Sequence, residues 1–238
     1  MRAMKKEWRE ARKPFIIIVI IVLCAVLGVA LGLIQRRFQI DLLRVLIGCW
    51  IVSLVCWLVW ALYNLSYWRK LQALLPLLRG EKAQEYIRGV EKLLQTAKGK
   101  GLKTSLRLNL AVGYMEVQEF DTARSLLEEL SDKQLNKDTL RLIRCVNLFQ
   151  CYFQVGRYDE GLALYHANRS LLQWYENDEA QGGGVAVVNI LAAIQEGRRE
   201  EAERLLDAAR NTWSDPRFQT AAQKIEDVLA QQSPGEQQ

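Results

Sequence analysis

Apolar positions along the chain follow two different rules on either side of residue 68. Before it they run almost without interruption; beyond it they recur every three or four residues. Residues 15–34 are 20 positions without a charge, and a helix rising about 1.5 Å per residue crosses the roughly 30 Å hydrocarbon core in that length. Pro14 stands just before the run, where its missing N–H is harmless. The second run is apolar from Val45 to Leu62 and continues through Tyr63, Leu65 and Tyr67 to Trp68, rings suited to the headgroup level. Together they predict a transmembrane helical hairpin over 15–68, with spans at 15–34 and 45–68, after a basic leader at 1–14. A cleaved signal sequence would also offer a basic start and a small-x-small triplet such as Gly28-Val29-Ala30. Its apolar core is usually about 7 to 15 residues, however, and this run continues through Leu31, Leu33 and Ile34.

From residue 69 on, the three- and four-residue steps predict amphipathic helices. LQALLPLLRG reads as a short helix broken near Pro76 and closed by Gly80. Ala83, Tyr86, Ile87, Val90, Leu93, Leu94 and Ala97 share one face of the next helix, which Gly99 is expected to end in a left-handed cap. Further helices are expected at 103–118, 121–130, 138–155, 158–173, 186–196 and 199–213. Asp215-Pro216, a capping residue followed by proline, opens a last helix with Phe218, Ala221, Ala222, Ile225, Val228 and Leu229 on its apolar face. Residues 231–238, QQSPGEQQ, form a polar tail with nothing to bury.

Within this region small and large side chains return at fixed steps. Leu110, Ala111, Tyr114, Phe120, Ala123 and Leu127 are followed by Leu148, Tyr152, Gly156, Tyr158, Gly161 and Tyr165, and then by Ile190, Ala193, Gly197, Ala202, Leu206 and Ala209. The pattern resembles a tetratricopeptide repeat. The family period is about 34 residues, whereas the turns at Gln118, Gly156 and Gly197 are 38 and 41 apart. The surplus falls in the linkers SDKQLNKD and NDEAQGGG, where added length costs little. The resemblance covers about residues 66–230 and implies an all-α fold. Its parts would be the hairpin, a solenoid of three to four helix pairs over 69–230, and a C-terminal capping helix.

It also implies a protein-binding scaffold rather than an enzyme. The first helix of each pair would line a concave groove for a peptide or protein, collecting Asn109, Val112, Met115, Asn147, Gln150, Phe153, Leu191 and Ile194. Asn109 and Asn147 match the asparagine ladder by which some members hold a peptide backbone, since an amide both donates and accepts. The third rung is Val188, which interrupts it. Members that clamp a terminal carboxylate use a lysine where this chain has Leu108, Val146 and Val187, so that activity is not expected.

Charge refines the picture. Residues 1–68 hold 9 Lys+Arg against 3 Asp+Glu, and residues 69–238 hold 23 against 24. Cations flanking apolar segments set orientation and meet anionic lipid, so nucleic acid is not the expected partner despite a pI near 9.0. Arg2, Lys5, Lys6, Arg9, Arg12 and Lys13 precede the first span, Arg69, Lys70 and Arg79 follow the second, and the connection has only Arg36, Arg37 and Arg44. The bias places both termini in the cytoplasm, and the lack of any other targeting signal points to a bacterial plasma membrane. Inside the spans, Cys24, Gly28 and Gly32 and the matching Cys49, Ser53 and Cys56 form small-residue stripes. These pack the hairpin on itself or, in a second reading, pair two chains through the glycine face.

Candidate chemistry is sparse. The five cysteines show no metal-ligand spacing, and His166, the only histidine, has no serine or cysteine at an obvious partner position. Gly182-Gly183-Gly184 lacks the Lys-Ser/Thr of a phosphate loop and reads as linker. No catalytic residue, cofactor or metal is expected. The alternative function, a component of a membrane transport or enzyme complex, lacks an ionisable group near the middle of either span.

Overall fold

The computed structural model describes residues 42–78, 82–131, 133–135 and 137–231. The leader, the expected first span at 15–34, Gly80 and the tail from 232 lie outside them. The described residues are all-helical, without a strand, and fall into two compact units divided between Leu65 and Ser66.

The first element, α1, is one continuous helix, Leu42–Leu74, followed by a 3-10 turn at Leu75–Leu77. Leu71 to Leu74 therefore belong to α1, not to a separate short helix. The α-helix stops where Pro76 lacks an N–H and its ring would meet the carbonyl four residues back. Among the described residues this is the one helix long and apolar enough to cross a membrane, and none of its apolar window is buried. Trp50, Trp57 and Trp60 stand exposed along it.

The second unit contains eight further helices: α2 (Ala83–Thr96), α3 (Lys100–Glu116), α4 (Phe120–Glu128), α5 (Asp138–Gln154), α6 (Tyr158–Trp174), α7 (Gly182–Gln195), α8 (Arg199–Thr212) and α9 (Pro216–Gln231). Each packs on the next, and α3, α5, α7 and α9 also touch in series. This is a helical repeat-like architecture. The last turns of α1 join it, because Tyr67 and Leu71 are buried and the Tyr67 hydroxyl donates to Thr96 Oγ1 at 3.1 Å. Tyr67 is thus a packing residue of this unit.

Three turns carry the same backbone geometry. Gln118, Gly156 and Gly197 all adopt left-handed φ values, 62°, 75° and 72°. Each closes its helix with two reversed hydrogen bonds. Gln118 N and Glu119 N donate to Met115 O and Tyr114 O, Gly156 N and Arg157 N to Phe153 O and Tyr152 O, and Gly197 N and Arg198 N to Ile194 O and Ala193 O. These bonds satisfy carbonyls that a helix end would otherwise leave orphaned. Five residues past each turn lies a small buried side chain or none, Ala123, Gly161 or Ala202, and nine past it a large buried one, Leu127, Tyr165 or Leu206. At Gly161 an added Cβ would sit 3.4 Å from Tyr152 Cβ, an ordinary contact, so the small position there has room for alanine, the residue its counterparts carry.

Two glycine expectations change. The Gly182-Gly183-Gly184 stretch is not linker but the first turn of α7. A Cβ at Gly182 would lie 2.4 Å from the Trp213 ring and 2.7 Å from Glu176 O, so the helix can begin this close to α8 only without a side chain there. Gly99 is not the left-handed cap of α2. It is the N-cap of α3, at φ 96° and ψ 136°, while α2 ends on the extended residue Ala97.

Candidate partner-binding face

The eight residues expected to line a groove do not share one environment. Asn109, Val112 and Met115 lie on α3 and Asn147, Gln150 and Phe153 on α5, all half-buried. Leu191 and Ile194 on α7 are each only 6% exposed and belong to the larger core cluster with Val188, Phe149, Phe218 and Ile225. They cannot form the floor of an open groove. The reason is α9, which packs on α7 and presents Phe218, Ala222, Ile225 and Leu229 as buried residues. Phe153 also packs against this cluster, and its ring meets Tyr158 edge-on at 5.7 Å.

The two asparagines differ in what is left for a partner. Asn109 donates from Nδ2 to Ser105 O at 2.8 Å, and its Oδ1 lies 3.4 Å from the Tyr86 hydroxyl, so both ends of its amide face inward neighbours. Asn147 is half-buried, and among the described residues no side-chain hydrogen bond of its amide is seen. Asn147 and Gln150, three residues apart on α5, with Val112 on the adjacent α3, are the half-buried remainder of the expected groove; Met115 packs against a second core cluster with Leu108, Ala111 and Cys151, as Phe153 does against the first.

Sequence reasoning missed a repeated polar contact. The Tyr114 hydroxyl donates to Glu91 Oε1 at 3.0 Å, and the Tyr152 hydroxyl donates to Glu128 Oε1 at 2.8 Å. Each tyrosine sits four residues before its left-handed turn and ties its helix to the one before. The spacing was visible, 38 residues between tyrosines and 37 between glutamates, but tyrosine also matched the apolar pattern. Burial raises the pKa of both hydroxyls, and the hydrogen-bonded carboxylates add to it. At the third interface Ala193 replaces the tyrosine, and His166, 38 residues past Glu128, meets Glu196 through Nε2 at 3.1 Å. His166 is therefore an exposed pairing residue.

A cleft of about 150 Å³ lies between α6, α7 and α8, with Tyr165, Arg169, Asn189, Arg198 and Glu201 in its wall. Arg198 is occupied there by Glu196 and Glu201. Burial pushes the Cys145 thiol up to about 11 and the Cys151 thiol up to about 12, which keeps both protonated and unreactive near neutral pH. Among the described residues no three His, Cys, Asp or Glu side chains gather as a metal site requires. In α1, Cys49 and Cys56 are exposed and the Ser53 hydroxyl donates to Cys49 O at 2.8 Å, so that polar group is satisfied within its own helix. Cys24, Gly28 and Gly32 lie outside the described residues. No protein-family model, curated protein or solved structure matches the chain.

Proposed function

We propose that the chain is a membrane-anchored scaffold whose tetratricopeptide-like solenoid takes a protein or peptide partner, without chemistry of its own. The observation that carries this reading is the recurrence of one turn, with one pair of hydrogen bonds and one small-then-large packing step, at Gln118, Gly156 and Gly197. Helix pairs repeated in this way bury their core against neighbours and leave the serially touching helices as a binding face. The exposed apolar α1, paired with the apolar run at 15–34, supplies a two-helix anchor. The cation bias supports a cytoplasmic position for both termini and the solenoid, and the basic-flanked hairpin suits a bacterial plasma membrane.

In this reading the groove is shorter than the sequence suggested, with Val112 as its apolar floor and Asn147 and Gln150 as backbone-reading amides. A photo-crosslinking residue placed at Gln150 or Val112 of the full chain, in its native membrane, should yield a discrete adduct. The same residue at Asp207, exposed on α8, should not. Adducts from Asp207 alone, or from none of the three, would overturn the groove. Tethering raises the local concentration of a partner in the same membrane, to about the millimolar range for a short linker, so a weak groove suffices.

A further inference from the structure

Helices α6 and α8 are the second members of neighbouring pairs, and both pack on α7. The cleft of about 150 Å³ between them is walled by one face of α6, with Tyr165, Arg169, Gln173 and Glu176 at three- and four-residue steps, by Asn189 of α7 and by Glu201 of α8. None of these residues belongs to the groove on α3 and α5.

Several polar groups of this wall have no partner among the described residues. Tyr165 is only 8% exposed, and its hydroxyl makes no hydrogen bond there. Its ring is flanked by Phe149 at 6.2 Å and met edge-on by His166 at 5.3 Å, so the hydroxyl is held in place and its partner must come from the cleft it lines. The side-chain amides of Gln173 and Asn189 make no hydrogen bond either, and Arg169 forms no ion pair. Arg198, by contrast, is taken up by Glu196 and Glu201.

Charge narrows what can enter. Burial raises the Tyr165 pKa and the Arg169 charge opposes that rise, while the Arg198 hydrogen bond holds Glu201 below the ordinary carboxylate range and Arg169 adds to the effect. The Arg169 guanidinium is therefore within Coulombic reach of both residues. With Glu201 neutralised by Arg198, and Glu176 about 10 Å further along α6, one positive charge stands unmatched beside a phenol and two amides. That set matches a single negative charge; a phosphate dianion would bring a second one against Glu201 and Glu176. An ionised carboxylate only accepts hydrogen bonds, and guanidinium, phenol and amide N–H groups all donate them. Pockets for whole small molecules measure about 300 to 1,000 Å³, so this cleft has room for one side chain.

We propose that the cleft receives the carboxylate of an Asp or Glu side chain of a polypeptide partner, with Arg169 as its counter-ion and Tyr165, Gln173 and Asn189 as further donors. The proposal rests on the scaffold reading above and adds to it a contact on the second helices of the pairs.

The test selects phage-displayed random peptides on the detergent-solubilised full chain. The captured peptides should include a class that needs one Asp or Glu, and replacing that residue with Asn or Gln should weaken binding about tenfold, the worth of a charged hydrogen bond. Arg169→Gln, which alters an exposed side chain, should cause the same loss and add nothing once the peptide is already neutral. Tyr165→Phe should weaken the acidic peptide severalfold at an unchanged melting temperature, which a merely structural hydroxyl would not do. Lys224→Gln, exposed on α9, should change nothing. If peptides are captured and none depends on Arg169, the cleft takes no carboxylate, while the scaffold stands. If none is captured, the scaffold reading fails and the cleft with it. An equal loss with Lys224→Gln would reduce the effect to overall charge, and peptides that need Lys or Arg instead would give the cleft to its own carboxylates; either result overturns the proposal.

Discussion

Two helices of this protein lack charge over long stretches, and their surroundings are opposite. The apolar part of α1 is bare, with Trp50, Trp57 and Trp60 exposed. Helix α7, 14 residues without one charge, is the most enclosed element of the repeat unit, with Val185, Val188, Ile190, Ala192 and Ala193 fully buried. Apolarity says only that water is a poor solvent for both. Length separates them: 14 residues give about 21 Å of helix, too short for a roughly 30 Å hydrocarbon core. Partners then decide, since α5, α6, α8 and α9 all close on α7.

The largest expected effect comes from removing side-chain volume in both helices. Ile190→Ala should lower the unfolding free energy of the repeat unit by about 3 kcal/mol, the transfer loss plus the cavity. Leu54→Ala, on the exposed α1, should change it by less than about 0.5 kcal/mol. Urea unfolding of the detergent-solubilised chain, followed by helical circular dichroism, reads both. Equal losses would mean that α1 packs as core and would erase the contrast.

A smaller effect probes why α7 can be so enclosed. Gly182→Ala forces a Cβ against the Trp213 ring and the backbone oxygen of Glu176, so one of the helices must shift, at about 2 kcal/mol. Gly184→Ala, whose Cβ would meet only Val146 at an ordinary 3.4 Å, should be neutral or slightly stabilising in the same denaturation series. A neutral Gly182→Ala would show that α7 does not need its close approach to α8.

Acid should act on the repeat interfaces and spare α7, which has nothing to titrate. Burial alone would raise the pKa of Glu128, but hydrogen bonds from Tyr152 and Arg124 and the charges of Arg124 and Arg157 outweigh it and hold the carboxyl below its ordinary 4.5. A folded value below the unfolded one adds stability that is present above the unfolded pKa and is lost as pH falls through the folded one. Glu128→Gln should flatten the fall in melting temperature below about pH 4.5, and Tyr152→Phe should cost about 1 kcal/mol at neutral pH. An acid limb unchanged by Glu128→Gln would show that this carboxylate plays no part in it.

These contrasts also mark how far the sequence could be read. The starts of α5, α6 and α8 at Asp138, Tyr158 and Arg199 follow directly from turn residues and three- and four-residue steps, which are local properties. The positions of the three turns were legible for the same reason, even at Gln118, because the spacing points there when the residue type does not; their left-handed geometry was not read, and the one left-handed cap expected, at Gly99, is absent from the end of α2. What was not legible depends on a distant partner. Gly182 looks like linker until Trp213 stands beside it, and the packing role of Tyr67 shows only when Thr96 takes its hydroxyl. The groove suffered likewise. Leu191 and Ile194 have the right register on α7, but α9 covers that helix, and nothing local to 191–194 announces it.

The smallest effect tests whether the three turns are one motif. Gln118 holds φ 62° with a side chain where its counterparts at 75° and 72° are glycines, yet its two turn hydrogen bonds, at 3.1 and 2.9 Å, have the lengths seen at Gly197. A left-handed residue with a Cβ is strained by about 1 to 2 kcal/mol, while a glycine costs about 0.5 to 1 kcal/mol more to order from the unfolded chain. Gln118→Gly should therefore gain about 0.5 kcal/mol net. Gly197→Ala, where a Cβ would meet nothing within 4 Å, should lose about the same amount by backbone strain alone. Opposite signs from the two substitutions, measured as shifts in urea midpoint at constant slope, are what equivalence requires. A destabilising Gln118→Gly would mean that the glutamine side chain holds its turn in a way the glycines cannot. The first repeat would then be related to the others by backbone path but not by the forces that maintain it.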